Sequence, residues 1–332
     1  MYEEENGKGL ELNFRELGLE TTFVKAITSD VGTTFLFDLK YISNYNKKYL
    51  KSLAEKLSVY YHEHLEIVDS NEAHFGLFWK APPTKLSLAQ LLKRVNQREM
   101  VIGEDTLGNL VKLDFEKIPH LLIAGATGSG KSVLIHNILT NIMSYYCTTN
   151  DKQRFRKKVE LFIIDPKGNE LSMYRNMNNT TFVDTPQRAI DILKAMVVEM
   201  DKVYLDNRQL EQDIYVIIDE LADLMLRSKF EVEESIVRLA QKGRAIGIHL
   251  IIATQRPSVD VVSGLIKANM PYRICLKTAS IRDSIVVMDS KLACDLDIGE
   301  AIFHQGVINT RFKVAYPENE VESRFIQCNM RG

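Results

Sequence analysis

The stretch IPHLLIAGATGSGKS, residues 118–132, decides the fold of this chain. Its mostly apolar run 120–124 is typical of a buried strand, and a glycine-rich segment leads from there into a helix. The pattern Gly125-x-x-x-x-Gly130-Lys131-Ser132 lets successive backbone N–H groups face phosphate oxygens at a helix start. A fortuitous glycine turn that caps the helix is the alternative. The residues expected to hold a nucleotide are Gly125, Ala126, Thr127, Gly128, Ser129, Gly130, Lys131 and Ser132.

Four side chains in two motifs are suited to the chemistry of ATP. Lys131 is expected to reach the β- and γ-phosphates, and Ser132 to offer its hydroxyl to Mg²⁺. The run IYVIIDELADL, residues 214–224, ends an apolar strand in two acids. Asp219 suits the same Mg²⁺, and Glu220 suits orienting and polarising the attacking water. In the alternative, both acids are only favourable charges at the start of the next helix.

A further polar group follows the next apolar strand, in IGIHLIIATQRPS (246–258). Because the carboxyl ends of parallel strands meet at one sheet edge, Gln255 is expected beside Asp219 as a sensor of the γ-phosphate. An ordinary turn at the strand end is the alternative. The expected cofactors are ATP and Mg²⁺, and water is the expected attacking group, without a covalent intermediate.

Composition narrows the class of protein. The 332 residues are 45% hydrophobic and 26% charged, as in ordinary globular proteins. No apolar run reaches the roughly 18 residues that cross a bilayer, and the acidic start MYEEENGKGL is unlike a secretion signal. The four cysteines form no CxxC pair, which favours reduced thiols. We therefore expect a cytoplasmic protein without membrane insertion, and its net charge of −2 means that local basic loops would hold any nucleic acid.

The chain is expected to hold a loose N-terminal arm (1–20), a small α+β domain (21–98) and a RecA-like α/β ATPase domain (99–332). In the large domain, apolar strands alternate with helices, which indicates a largely parallel sheet covered on both faces. The expected strands are 119–124, 159–164, 213–218, 248–253 and 272–277. The expected helices span about 131–146, 186–206, 230–245 and 258–268, with Thr185 as a cap for the second.

Four runs of the large domain together closely resemble the FtsK/SpoIIIE family of DNA translocases. They are IPHLLIAGATGSGKS (118–132), IIDPKGNELSMY (163–174), VIIDELADLM (216–225) and RLAQKGRAIGIHLIIATQRPSVDVVSGLIKANMPYRI (238–274). The resemblance is strong over about 102–290, and the last run is the most specific. It implies a hexameric RecA-like ring that pumps double-stranded DNA through a central pore with the energy of ATP.

The resemblance also assigns roles to basic residues. It makes Arg244 a residue that enters the nucleotide site of a neighbouring subunit, and it makes Arg256 and Lys267 contacts to the DNA backbone. Relatives carry further basic residues where this chain has TASIRDSIVVMD (278–289), which leaves Arg282 as the candidate DNA contact there. The alternative for Arg244 is a cation that complements the dipole at a helix end.

Two departures from the family pattern suggest a short, soluble member. No membrane segment is expected before the ATPase domain, and no winged-helix module after it. Such a motor would suit a plasmid, a phage or an integrative element. The alternatives are a conjugative coupling protein, which binds a relaxase or a membrane channel component, and a type VII-like secretion ATPase that moves polypeptides. A non-enzymatic module is disfavoured because every hydrolytic position is filled.

Other features have ordinary interpretations. The basic run NDKQRFRKKVE (150–160) is typical of a solvated loop, with a DNA- or partner-facing patch as the alternative. His62 and His64 lack a third ligand at metal-binding spacing. Residues 165–167, Asp-Pro-Lys, predict a turn near the nucleotide edge, with a role in coupling as the alternative. Trp79 is predicted to lie in the core of the small domain.

Overall fold

The computed structural model describes most of the chain, namely residues 2–29, 32–39, 47–61, 63, 65–68, 73–80, 85–95, 99–147, 158–208 and 210–318. The histidines at 62 and 64 and the basic residues 152–157 lie outside the described residues. The chain divides into two compact units, one of residues 1–86 with 104–110 and one of residues 87–103 with 111–332.

The first unit packs two helices on a four-stranded antiparallel sheet of strand order β1-β2-β4-β3. Its elements are α1 (Tyr2–Glu16), β1 (Thr21–Ser29), β2 (Gly32–Leu39), α2 (Lys47–Tyr61), β3 (Leu65–Val68) and β4 (His74–Lys80). Trp79 is half-buried and contacts the rings of Phe35 and Tyr61 at the edge of this core.

The expectation of a loose N-terminal arm is wrong. Helix α1 and the turn after it contribute Leu10, Phe14 and Leu19 to the core of the first unit, all fully buried. The ring of Phe14 packs edge-on against Phe37 and Phe75, with centroids 5.2 and 5.3 Å away. Since burying one such side chain is worth about 1.5–3 kcal/mol, these contacts hold the helix in place.

The second unit is built on a mixed sheet that has ten strands among the described residues, in the order β6-β5-β14-β13-β12-β7-β11-β10-β8-β9. The strands are β5 (Met100–Asp105), β6 (Leu110–Leu113), β7 (His120–Ala124), β8 (Lys158–Ile164), β9 (Thr180–Val183), β10 (Gln212–Ile218), β11 (Ile248–Thr254), β12 (Tyr272–Leu276), β13 (Glu300–Gln305) and β14 (Ile308–Val314). The helices are α3 (Leu88–Leu92), α4 (Lys131–Cys147), α5 (Pro186–Leu205), α6 (Leu221–Lys242), α7 (Gly264–Asn269) and α8 (Ile281–Met288), with 3₁₀ turns at 172–174, 243–246 and 292–295.

The α/β class with a parallel-rich sheet is confirmed. Strands β12, β7, β11, β10, β8 and β9 run parallel, and β13 and β14 continue the sheet with antiparallel pairing. All five expected strands begin and end within one residue of the observed ones. The sequence patterns did not predict strand β9 or the antiparallel strands β13 and β14.

Both faces of the central strands are covered, because successive side chains point to opposite faces. On one face, Leu122 and Ile252 pack with side chains of α5 and α6. On the other face, Leu121 and Ile251 pack with side chains of α4. No helix among the described residues is both long enough and apolar enough to span a membrane.

Three expectations about helices need correction. Helix α6 starts at Leu221, nine residues before the expected start, and it is interrupted at Ser228, whose backbone is not helical and whose hydroxyl donates to the carboxylate of Glu231. Helix α7 is shorter than expected because Ser263 caps it by accepting the N–H of Ile266. Thr185 occupies the N-cap of α5, but its side chain makes no capping hydrogen bond.

Candidate functional site

Three polar loops meet at the carboxyl edge of the parallel strands. The last residues of β7 and β11 pair in register, Ala124 with Thr254. On the other side of β11, Ile252 pairs with Ile218, the last residue of β10. The loops that follow these three strands therefore lie side by side at the edge where open α/β sheets bind their ligands.

The loop of residues 125–130 is shaped by its glycines. Gly128 and Gly130 have φ angles of 76° and 104°, in the left-handed region that other residues rarely adopt. A Cβ atom on Gly125 would lie 2.5 Å from Oγ of Ser129, so the close approach of these two residues requires glycine. That serine oxygen is buried and has no hydrogen-bond partner in the described structure.

Lys131, the first residue of α4, forms a buried ion pair with Asp219. Its Nζ donates to Oδ1 of Asp219 at 2.6 Å and to the backbone oxygen of the same residue at 2.9 Å. The two side chains are 3% and 2% exposed, so each charge depends on the other for compensation. The expected phosphate ligand and the expected metal ligand thus contact each other directly.

Glu220 lies next to this pair and is held in one orientation. Its Oε1 accepts the hydroxyl of Thr254 at 2.7 Å and the N–H of Ala222 at 3.3 Å. Its Oε2 accepts the N–H of Gln255 at 3.0 Å. Since a carboxylate offers about four lone-pair positions, three donors leave one position for a water molecule. Glu220 is also the N-cap of α6, so the capping alternative describes part of its bonding.

Gln255 bridges the glycine loop and Glu220. Its Oε1 accepts the hydroxyl of Thr127 at 2.9 Å, while its backbone N–H binds Glu220. Ser132 follows Lys131 in the first turn of α4 and is half-buried. Every residue expected at the nucleotide site therefore lies in this one region of the second unit.

The residues present fit a nucleotide and Mg²⁺. The glycine loop has no room for a Cβ at Gly125 and holds the unpartnered hydroxyl of Ser129, as a polar phosphate cradle requires. Among the described residues, no group of three or more His, Cys, Asp or Glu could hold a metal ion by itself. Ser132 and Asp219 would supply the protein ligands of Mg²⁺, which proteins hold through one or two side chains and the phosphates of the substrate.

Arg244 lies at the opposite edge of the sheet. It belongs to the 3₁₀ turn 243–246, just before β11 begins at Ile248, and its guanidinium donates to the backbone oxygen of Glu116 at 2.9 Å. The seven residues of β11 separate it from Gln255 by about 20 Å. Arg244 is therefore too far from the phosphate loop of its own chain to contact a nucleotide there.

The three expected DNA contacts have different surroundings. Arg256 and Arg282 are exposed, the first after β11 and the second in α8. Lys267 is half-buried and pairs with Asp289 at 2.6 Å, where Arg273 also binds at 3.0 Å. The Lys267 ammonium, and to a smaller extent the Arg273 guanidinium, lowers the pKa of the Asp289 carboxyl below its usual range. Asp289 therefore compensates part of the charge that Lys267 could offer to a phosphate.

The sequence profile of the FtsK/SpoIIIE family matches residues 86–213 and 205–259, which together make up half of the chain. The chain belongs to the FtsK/SpoIIIE family. A DNA translocase FtsK from Caldanaerobacter subterraneus subsp. tengcongensis is 44% identical over 206 residues, which cover 57% of this chain and 28% of that protein. The chain thus matches less than a third of this curated relative.

Two solved structures share the fold of this family member. The conjugation coupling protein TcpA of pCW3, in a monomer form with ATPγS, has a TM-score of 0.65 and 23% identity, over 97% of this chain and 99% of TcpA. The cytoplasmic domain of the Thermomonospora curvata type VII secretion ATPase EccC has a TM-score of 0.62 and 21% identity, over 75% of this chain and 35% of that one. At these identities the likeness establishes the fold, which is RecA-like.

Two polar residues of this FtsK/SpoIIIE chain make contacts that the sequence did not predict. Thr254 orients Glu220, and the signal for it is a polar residue that closes an otherwise apolar strand. Lys167 lies 3.6 Å from Asp223 in the first turn of α6. Its neighbour Asp165 is fully buried and accepts N–H groups of its own loop, as the turn interpretation of that segment expects.

Proposed function

We propose that this chain is an ATP-driven translocase of double-stranded DNA that works as a ring of identical subunits, hexameric as the family resemblance implies. The observation that carries the proposal is the separation of Arg244 from Lys131, Asp219 and Glu220 across the sheet. A nucleotide site that needs this arginine has to take it from a second copy of the chain. Family membership supports DNA as the substrate that is moved.

Nucleotide binding would rearrange the buried pair at the sheet edge. Lys131 would exchange its contact with Asp219 for the β- and γ-phosphates, and Asp219 would turn with Ser132 towards Mg²⁺. When bound, Mg²⁺ neutralises part of the charge that develops on the phosphates. Lys131 would exchange one negative partner for another, and Asp219 would exchange one positive partner for another. Neither charge is therefore left buried and unpaired.

Glu220 is the proposed base. Its single open lone-pair position would accept a proton from a water molecule placed in line with the γ-phosphate. Gln255 contacts both Glu220 and Thr127 of the glycine loop, so a change at the γ-phosphate would reach the loop that begins at Arg256. This link would connect hydrolysis to the residues proposed to touch DNA.

The proposed DNA surface combines Arg256, Lys267 and Arg282. Contacts to phosphates position a protein on DNA without reading its sequence, so translocation should show little sequence preference. Asp289 already compensates much of the charge of Lys267, which makes Lys267 the weaker contact of the three.

Transfer of DNA in conjugation is the second candidate, supported by the likeness to TcpA over nearly the whole of both chains. As a coupling protein, the chain would also bind a relaxase or a membrane channel component. The likeness to EccC keeps polypeptide transport by a type VII-like mechanism as a further alternative. A motor for plasmid, phage or integrative-element DNA fits the first two candidates.

The substrate is tested by the rate of ATP hydrolysis alone, with long duplex DNA, with single strands and with candidate polypeptides. Stimulation by long duplex above the other two supports the proposal. Stimulation by polypeptide alone would overturn it in favour of secretion. The Glu220→Gln variant serves as the control for contaminating ATPases.

The trans role of Arg244 is tested by mixing two inactive variants. Glu220→Gln subunits have an inactive site and an intact arginine, and Arg244→Ala subunits have the reverse. If Arg244 acts in the neighbouring site, hydrolysis should return on mixing, and only with DNA that assembles the ring. An arginine finger contributes roughly 10³–10⁵ in rate, so recovery is easily measured. No recovery at any ratio, with mixed rings verified by mass, would refute the trans role of Arg244. Arg227→Ala, a change at another exposed arginine, is the matched control.

A further inference from the structure

A cleft of about 510 Å³ opens beside Arg244 at the edge of the sheet opposite the phosphate loop. Its walls are the end of α5 and the segment that joins α6 to β11. The lining residues are Tyr204, Gln241, Lys242, Arg244 and Ala245. The volume lies within the range of small-molecule sites in proteins.

Tyr204 joins the two walls of the cleft. Its hydroxyl donates to the backbone oxygen of Lys242 at 2.7 Å, which satisfies a carbonyl that the end of α6 would leave unpaired. The Lys242 ammonium lies 6.0 Å from the centroid of the Tyr204 ring, at the limit of a cation–π contact. Tyr204 therefore fixes the start of the turn that carries Arg244, and the Lys242 side chain lies next to the Tyr204 ring.

Lys242 and Arg244 differ from most basic side chains of the surrounding helices. Neither forms an ion pair with a carboxylate in the described part of the chain, and both are exposed. Five of the other seven basic residues of α5, α6 and the turn after α5 are paired, whereas Arg188 and Arg227 form no ion pair among the described residues. The pairs are Lys194–Glu231, Lys202–Glu199, Arg208–Asp206, Lys229–Asp260 and Arg238–Asp201. Two neighbouring uncompensated cations repel each other and are stabilised when an anion binds between them.

We propose that this cleft receives the nucleoside triphosphate bound to the neighbouring copy, with Lys242 as a second cation beside Arg244. Tyr204 is the positioning residue for both. The inference rests on the proposed ring and extends it, because it assigns residues besides the arginine to the site between two copies.

The chemistry of the cleft fits a nucleotide better than the DNA backbone. The lysine supplies a mobile point charge, and the arginine supplies a planar fork that binds two phosphate oxygens at once. Together they match the negative charge that ATP retains when Mg²⁺ is bound. Arg256, the nearest proposed DNA contact along the chain, lies beyond β11 at the opposite sheet edge, so one duplex would not readily touch both surfaces.

The test measures binding of a ribose-labelled fluorescent ATP analogue, in a Glu220→Gln background that does not consume it. Affinity is compared between dispersed protein and protein assembled on long duplex DNA. The Lys242→Ala change should weaken binding about 10- to 100-fold in the assembled protein, as expected for one charge-assisted contact. Binding to the dispersed protein should stay unchanged, because Lys242 cannot reach its own phosphate loop.

Two further variants separate position from charge. Lys242→Arg should retain most of the affinity, since it keeps the cation. Tyr204→Phe removes only the hydroxyl, so it should weaken binding by the assembled protein while leaving the dispersed protein normal. Lys202→Ala, a change at a paired lysine of α5, is the matched control and should bind like the parent protein.

Three outcomes would overturn the inference. Equal loss of affinity in dispersed and assembled protein would make Lys242 a structural residue. A loss of DNA affinity with a smaller salt slope would place Lys242 on the duplex. Normal binding by Lys242→Ala, when the mixing experiment places Arg244 in trans, would overturn this inference and leave the proposed ring intact. Failure of the ring itself is recognised by the absence of recovery in that mixing experiment.

Discussion

Replacing Lys131 by methionine should destabilise the nucleotide-free protein as well as abolish ATP hydrolysis. Lys131 is 3% exposed, and its ammonium compensates the equally buried carboxylate of Asp219. Methionine fills similar volume, so the main effect is the uncompensated charge.

The size of the effect follows from the geometry of the pair. At 2.6 Å and an effective dielectric constant of about 20, the attraction between the two charges is about 6 kcal/mol. Desolvation of both groups offsets much of it, but removal of one partner from a buried pair costs about 3–5 kcal/mol. For a unit of this size, that corresponds to a fall in Tm of roughly 6–20 °C.

Thermal and urea unfolding without nucleotide measure the effect in a double-mutant cycle. Lys131→Met and Asp219→Asn should each destabilise, and the double variant should lose at least about 2 kcal/mol less than their sum. Lys229→Met, which breaks the exposed pair with Asp260, is the matched control and should leave the midpoint unchanged. If Lys131→Met unfolds like the control, or if the two changes are additive, the buried pair does not stabilise the protein.

Glu220→Gln should still bind ATP but release no phosphate. The base is lost, while Thr254 can still donate to the amide oxygen of the new side chain. Hydrolysis at the normal rate would contradict the assignment of Glu220 as the base. Arg256→Ala should reduce DNA-stimulated hydrolysis more than basal hydrolysis and lower the salt slope of DNA binding by about 0.9 per lost phosphate contact. Lys267→Ala should have the smaller effect, because that lysine already pairs with Asp289; equal losses in basal and stimulated rates would place either residue at the nucleotide. Burial, and then His249, lowers the pKa of His120 from 6.5 to about 4, so the unfolded chain binds a proton first as the pH falls. The free energy of unfolding is therefore unaffected by His120 well above pH 6.5 and falls by about 2 kcal/mol at pH 5. This loss should be absent in His120→Gln, and urea titrations at pH 7 and pH 5 can measure it.

The sequence by itself determined the nucleotide-binding half of the fold. Strands β7, β8, β10, β11 and β12 were predicted to within one residue, because strands buried on both faces are continuous apolar runs. The glycine loop and the two acids after β10 could also be recognised from the sequence, because their chemistry depends on neighbours along the chain. The rule that parallel strands end at one edge was enough to bring Lys131, Asp219 and Gln255 together.

Only the tertiary structure decided how those residues interact with partners far along the chain. The N-terminal helix could not be recognised as core, because the surface that buries Phe14 comes from strands β2 and β4. The pairing of Lys131 with Asp219 joins residues 88 positions apart, and the bond from Tyr204 to Lys242 joins residues 38 apart. Local sequence patterns report the periodicity and caps of single elements. Contacts between distant residues depend on how those elements pack, and packing is fixed only when the whole core forms.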